Sequence, residues 1–132
     1  MPREGKRNMH VVLHERDGVP IAEIRSDSVV LACEQDGLEL MAEARSKGAR
    51  CIIIHQAAVS PEFFSLRSRV ARSILQKFST YRVRFAVVCD LEGSTSERLR
   101  ASVRESNRGD QTFFVPTLEV ALDRLARAEG AS

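Results

Sequence analysis

The sequence predicts a single α/β domain on a mostly parallel five-stranded sheet, with its elements in the order ββαβαβαβα. Three observations carry this. Asp17-Gly18 between two β-prone runs marks an antiparallel hairpin at the start of the domain. Beyond it, unbroken apolar runs such as Cys51-Ile52-Ile53-Ile54 lack the alternation of a half-solvated strand and fit a sheet covered by helices on both faces. Segments of helical spacing separate those runs, and strand–helix–strand repetition implies right-handed crossovers between parallel strands. A chain of 132 residues holds one hydrophobic core.

Met9 to Glu15 and Val19 to Ile24 are the hairpin strands, because Asp and Gly tolerate the positive φ angles that a type I′ turn needs at both central positions. Pro20 has no N–H to give, so its strand is expected to lack a ladder bond on one side there. Asp36-Gly37-Leu38-Glu39 reads as a capping box, with Asp36 as the cap and Glu39 reaching back to it. The helix it opens presents Leu38, Leu40, Met41 and Ala44, runs to about Lys47 and stops at Gly48.

Ser60-Pro61-Glu62 opens the longest helix: a cap, a proline at the first helical position, then an acid in the electropositive first turn. Its buried stripe is Phe63, Leu66, Val70, Ile74 and Phe78. Val83 to Cys89 is the fourth strand. Ser94 and Glu97 form a second capping box, and the helix they open, ending at Gly109, has a thin apolar face of Leu99 and Val103. Thr112 to Val115 is a short fifth strand, and Thr117 caps a last helix carrying Leu118, Ala121, Leu122 and Leu125. The domain spans 9–128, and residues 1–8, with Arg3, Lys6 and Arg7, are expected to be a disordered basic tail.

Composition narrows the function classes. With 20 Lys and Arg against 18 Asp and Glu, the net charge of +2 does not supply the field that nucleic-acid binding requires. No apolar run reaches the ~20 residues of a membrane span, and no signal-peptide pattern opens the chain, so a cytoplasmic protein is expected. Cys33, Cys51 and Cys89 are odd in number and without Cys-x-x-Cys spacing. They read as free thiols in a reducing compartment, and the sequence implies neither metal nor cofactor.

Several spaced motifs carry a resemblance. They are Glu62-Phe63-Phe64, Leu75-Gln76-Lys77-Phe78, Tyr81-Arg82, Phe85-Ala86-Val87-Val88, and Ser106-Asn107-Arg108-Gly109 ahead of Phe113-Phe114-Val115. Through them, from about Val11 to Leu125, the chain resembles the bacterial family named domain of unknown function 4180. That resemblance implies a fold and no activity. In the family's pattern a small residue often stands where Cys89 precedes Asp90, which sets thiol chemistry at Cys89 apart from the family.

The order of elements is also similar to that of the STAS (anti-sigma-factor-antagonist) domains. This second resemblance implies work through protein partners, with a phosphorylatable serine between strand three and helix two. Ser60 holds the comparable place here, without the Asp-Ser-[Ser/Thr]-Gly context, and reads as a helix cap.

Open α/β sheets place ligands at the carboxyl ends of their parallel strands. That edge is expected to collect Arg25, Ser26, His55, Gln56, Asp90 and Pro116. His55 and Asp90 end successive strands, and an aspartate can orient an imidazole as a general base. No nucleophile of distinctive spacing completes the set, so His55 as an edge cap and Asp90 as a turn acceptor is the favoured reading.

Asp90-Leu91-Glu92-Gly93-Ser94-Thr95 looks like the metal-binding strand end of class III nucleotide cyclases and the nucleophile motif of haloacid-dehalogenase-type phosphatases. The 42 residues after Asp90 (91–132) are too few for the further acids and bases those families need, so the string reads as a turn and a cap. Arg108 is placed to bind an anion or to pin two elements together. Arg67, Arg69, Arg72, Lys77, Arg82 and Arg84 lack interleaved aromatics and read as a solvated face rather than a nucleic-acid surface.

Two function classes follow. The leading one is a non-enzymatic binding or regulatory module acting through protein contacts or as a homodimer, with Phe63 or Phe64 exposed at the contact. The other is a sensor or enzyme for a small anionic ligand at the strand carboxyl ends, with His55, Asp90 and Arg108 as its working residues.

Overall fold

In the computed structural model, which describes residues 9–64, 69–90, 103–104, 106–109 and 111–130 (Phe64 by its backbone), five strands lie side by side in chain order. They are β1 (His10–Arg16), β2 (Val19–Arg25), β3 (Cys51–His55), β4 (Arg84–Val88) and β5 (Thr112–Val115). β1 and β2 pair antiparallel, and every later pair is parallel. The hairpin turns on two left-handed residues, Asp17 at φ 54° and Gly18 at φ 80°, as a type I′ turn demands. Pro20 opposes Glu15 in the β1 pairing and stands one residue before Ile21, where the ladder to β3 begins, so its missing N–H costs β2 nothing.

Three helices are described along their length: α1 (Glu34–Ser46), α2 (Arg69–Thr80) and α3 (Leu118–Gly130). Residues 103–104 and 106–108 are also helical. Alternation along each strand sorts the core into two layers. Ala22, Ile24, Ile52, Ile54, Phe85, Val87 and Phe114 pack against α1, α2 and Val103. Ile21, Cys51, Ile53, Ala86, Phe113 and Val115 pack against Ala121, Leu122, Leu125 and Ala126 of α3. Strands that follow one another with crossovers of one hand must place those crossovers on one face. α3 follows the edge strand and is free to fold back over the other.

Helix starts differ from the sequence reading in two places. α1 begins at Glu34, and Asp36 is its third residue rather than its cap. The Asp36 carboxylate accepts from the Ala32 N–H at 2.9 Å, so it is the reaching-back member of the cap. The following Gly37 faces α2, where a Cβ would make ordinary van der Waals contact with Phe78 Cε1 at 3.4 Å and Ile74 Cγ2 at 3.5 Å. Pro61–Phe64 is a 3-10 turn, closed by Phe63 N–H on the Ser60 carbonyl at 2.9 Å, and α2 is described from Arg69. Thr117 caps α3 as expected, its Oγ1 accepting from Val120 N–H at 3.1 Å.

Phe63 is wholly buried, edge-on to Phe85 with centroids 5.8 Å apart, which corrects its assignment to a protein-contact surface. Once the chain turns sharply at Pro61, Phe63 points under the sheet and fills the core against Phe85 and Phe114. The side chain of Phe64, with Leu66, Arg67, Leu99, Asp110, residues 91–97 and the tail 1–8, lies outside the described residues.

Side-chain bonds fasten the periphery. Arg16 holds α3 through Glu119 at 2.8 Å and Asp123 at 2.5 Å, while Arg84 pairs with Glu129 near the helix's other end. Among the described residues no helix is long and apolar enough to cross a membrane.

Candidate functional site

Among the described residues, Glu23 is the one acidic side chain at the middle of a sheet strand that is almost fully buried, at 1% exposure. Its position follows from register. On the face that α3 covers, β2 presents Ile21, Glu23 and Arg25, and β1 presents Val12 and His14, with Val12 directly opposite Glu23 and His14 opposite Ile21. β3 pairs Ile53 with Glu23 and, one step beyond Ile24↔Ile54, brings His55 level with Arg25.

Three hydrogen-bond donors therefore surround one carboxylate. His14 Nε2 lies 2.7 Å from Oε1, His55 Nε2 lies 2.6 Å from Oε2, and Arg25 Nε lies 3.1 Å from Oε2. Burial pushes the Glu23 carboxyl up, but the hydrogen bonds from Arg25, His55 and His14 and the guanidinium charge outweigh it and hold the group down at about 2. The carboxylate in turn raises the Arg25 guanidinium further above its ordinary value.

An ionised carboxylate can only accept, so both imidazoles donate through Nε2–H and are left with Nδ1. Arg25 spends its Nε on Glu23 and keeps its two terminal amino groups, which make no other hydrogen bond among the described residues. Outward of the buried acid, Arg25 is 54% exposed and His55 37%.

The three groups do not converge as metal ligands. His14 and His55 address opposite oxygens of the one carboxylate, from backbone positions offset by ~13 Å along the strand direction at ~3.3 Å of rise per residue. Among the described residues no group of three or more His, Cys, Asp and Glu side chains is arranged to hold a metal ion.

The site expected from sequence is only partly assembled. His55 stands at the carboxyl edge, but its partner is Glu23 and not Asp90. Asp90 is exposed beyond β4, where its N–H donates to Gln56 Oε1 at 3.2 Å. Arg108 is exposed and makes no hydrogen bond or ion pair among the described residues. The pin in that segment is its neighbour Asn107, whose carboxamide bonds both backbone polar groups of Phe114, at 2.9 and 2.8 Å. Arg124 donates to the Asn107 carbonyl at 2.8 Å and lies over the Phe113 ring at 4.5 Å. Cys51 and Cys89 are buried free thiols, pushed up by burial to about 12 and about 11.

Sequence reasoning missed Glu23 and His14. The signal was present in the hairpin: a two-residue turn at Asp17-Gly18 forces Arg16 opposite Val19, hence Val12 opposite Glu23. His55 reaches Glu23 through the parallel register of β2 and β3, which no turn sets.

Fold and site together define an α/β domain whose sheet carries a buried carboxylate clamped by two imidazoles and a guanidinium. The chain belongs to the family described as a domain of unknown function (DUF4180), whose model matches residues 16–125. Comparison with curated proteins gives no match.

Proposed function

We propose that the domain is a binding module for a small molecule that combines an anionic group with a hydrogen-bond donor, received at the carboxyl edge of β2 and β3. The single observation behind this is the division of labour at Glu23. The buried carboxylate takes Arg25 by Nε and His55 by Nε2, leaving a guanidinium fork and an imidazole acceptor on the exposed side. The fork matches a carboxylate or phosphate bidentately, and Nδ1 accepts from a neighbouring hydroxyl or amine. Glu23 supplies the fixed counter-charge that keeps both groups in place.

Binding rather than catalysis is favoured because Cys89, which follows the Val88 that pairs with His55, is held protonated by burial. The protein-contact reading drawn from the STAS-like element order expected Phe63 or Phe64 at the surface, and of the two Phe63 lies in the core. The exposed large apolar residues that are described, Leu13, Val29, Tyr81 and Val120, sit on separate elements.

The test is calorimetric titration of the full chain with acetate, glycolate, malate and inorganic phosphate. Glycolate and malate are expected to bind several-fold tighter than acetate, and Arg25→Ala and His55→Ala each to weaken malate binding at least tenfold. Absence of binding by all four probes, or binding unchanged in both variants, overturns the reading.

A further inference from the structure

At the opposite, amino-terminal edge of the parallel strands, an open cavity of about 500 Å³ is lined by Arg45, Gly48, Ala49, Arg50, Tyr81 and Arg82. Its walls are two helix-to-strand corners of the same design. At the end of α1, Gly48 N–H bonds the Arg45 carbonyl and Ala49 N–H the Ala44 carbonyl, at 2.9 Å each. At the end of α2, Arg82 N–H bonds the Ser79 carbonyl at 3.1 Å and Val83 N–H the Phe78 carbonyl at 2.8 Å. Both corners need a left-handed residue, and they fill it differently: Gly48 at φ 81°, Arg82 at φ 57°.

Glycine is the residue this position favours, because a Cβ is strained there. An arginine held at that angle places a guanidinium on the cavity wall at a cost in backbone strain. Arg45 and Arg50 line the same cavity, and none of the three arginines makes a salt bridge among the described residues. Arg45 is partly accounted for as a helix-end cation, since it donates to the Tyr81 carbonyl at 3.3 Å and approaches the Tyr81 ring at 5.9 Å. No such bond accounts for Arg50 or Arg82. Tyr81 is 46% exposed beside them and offers an aromatic face.

We propose that this cavity is a second binding site, for a polyphosphate-bearing small molecule such as a nucleoside triphosphate, with phosphates among Arg45, Arg50 and Arg82 and a planar ring against Tyr81. Three unneutralised guanidinium groups on one cavity wall match a multiply charged phosphate chain. The volume is that of a small-molecule site, and the chain's net charge of +2 does not favour an extended nucleic acid. This site is independent of the carboxyl-edge reading.

The experiment titrates the full chain with inorganic pyrophosphate, ATP and a single-stranded oligonucleotide, following heat of binding and Tm. Arg82→Gly is the decisive variant because it relieves the left-handed strain: its Tm should equal or exceed that of the parent while pyrophosphate affinity falls at least tenfold. Arg50→Gln should weaken pyrophosphate similarly, and Tyr81→Ala should weaken ATP more than pyrophosphate. The proposal is overturned if neither pyrophosphate nor ATP binds, if Arg82→Gly and Arg50→Gln bind like the parent, or if the oligonucleotide outcompetes ATP.

Discussion

His55 Nε2 lies 2.6 Å from Glu23 Oε2, joining two residues 32 positions apart on neighbouring parallel strands. An acid in the middle of a central strand would ordinarily be a liability, since an unpaired buried carboxylate shifts upward and neutralises. Here Arg25, His55 and His14 reverse that outcome and the acid stays charged. The cluster therefore stabilises the fold as well as forming a site, and the two roles can be separated experimentally.

Replacing Glu23 tests the structural role through acid titration. Its folded value of about 2 lies below an ordinary 4.5, so the unfolded chain binds the proton more tightly. The stabilisation is then fully present above pH 4.5 and lost as pH falls toward 2, and the difference corresponds to about 3 kcal/mol. Glu23→Gln should cost about 3 kcal/mol in urea unfolding at pH 7, and the gap from the parent should shrink steadily below pH 4.5. A gap of constant size down to pH 2.5 would show that the charge contributes nothing.

The hairpin offers a backbone test free of packing effects. A Cβ at Gly18 or at Gly130 meets nothing within 4 Å, and of the two only Gly18 has a positive φ, 80°. Gly18→Ala should therefore destabilise by about 1 kcal/mol, while Gly130→Ala is neutral or slightly stabilising. Equal effects by thermal unfolding would contradict the type I′ assignment of the turn.

Much of the fold could be read from local chemistry. Asp17-Gly18 set the hairpin, Thr117 set the start of α3, and the unbroken Cys51–Ile54 run marked a strand covered on both faces. Residues whose role is fixed by distant partners were harder. Asp36 reads as a cap by its neighbours, yet the helix starts earlier and the carboxylate turns back to Ala32. Phe63 falls on the apolar stripe of the expected helix, yet it enters the core from the 3-10 turn at Pro61. Glu23 looks like the polar member of an alternating strand, and only the face covered by α3 makes it buried.

Asn107 supports the outer edge of the sheet, and its two bonds to Phe114 can be dissected by substitution. Asn107→Ala removes both and should cost about 1–3 kcal/mol in chemical unfolding. Asn107→Asp keeps an acceptor for Phe114 N–H but sets a carboxylate oxygen against the Phe114 carbonyl, so it should be no better than alanine. Hydrogen exchange should quicken at β5 in both variants and stay slow at β3. An aspartate variant as stable as the parent would mean that Nδ2 is not a donor in this contact.

The three cysteines should separate cleanly by alkylation. Cys33 is exposed at the start of α1, whereas Cys51 and Cys89 are buried with thiols pushed up to about 12 and about 11. Since the thiolate is the reactive form, iodoacetamide at pH 8 should modify Cys33 within minutes and spare the other two for as long as the fold holds. In 6 M guanidinium all three should react, and mass spectrometry of the intact chain reads the difference as one adduct against three. Native modification of Cys89 at the rate of Cys33 would mean that the carboxyl end of β4 opens readily to solvent. Cys89 would then be an available nucleophile at the carboxyl end of β4, and the preference for binding over catalysis would lose its ground.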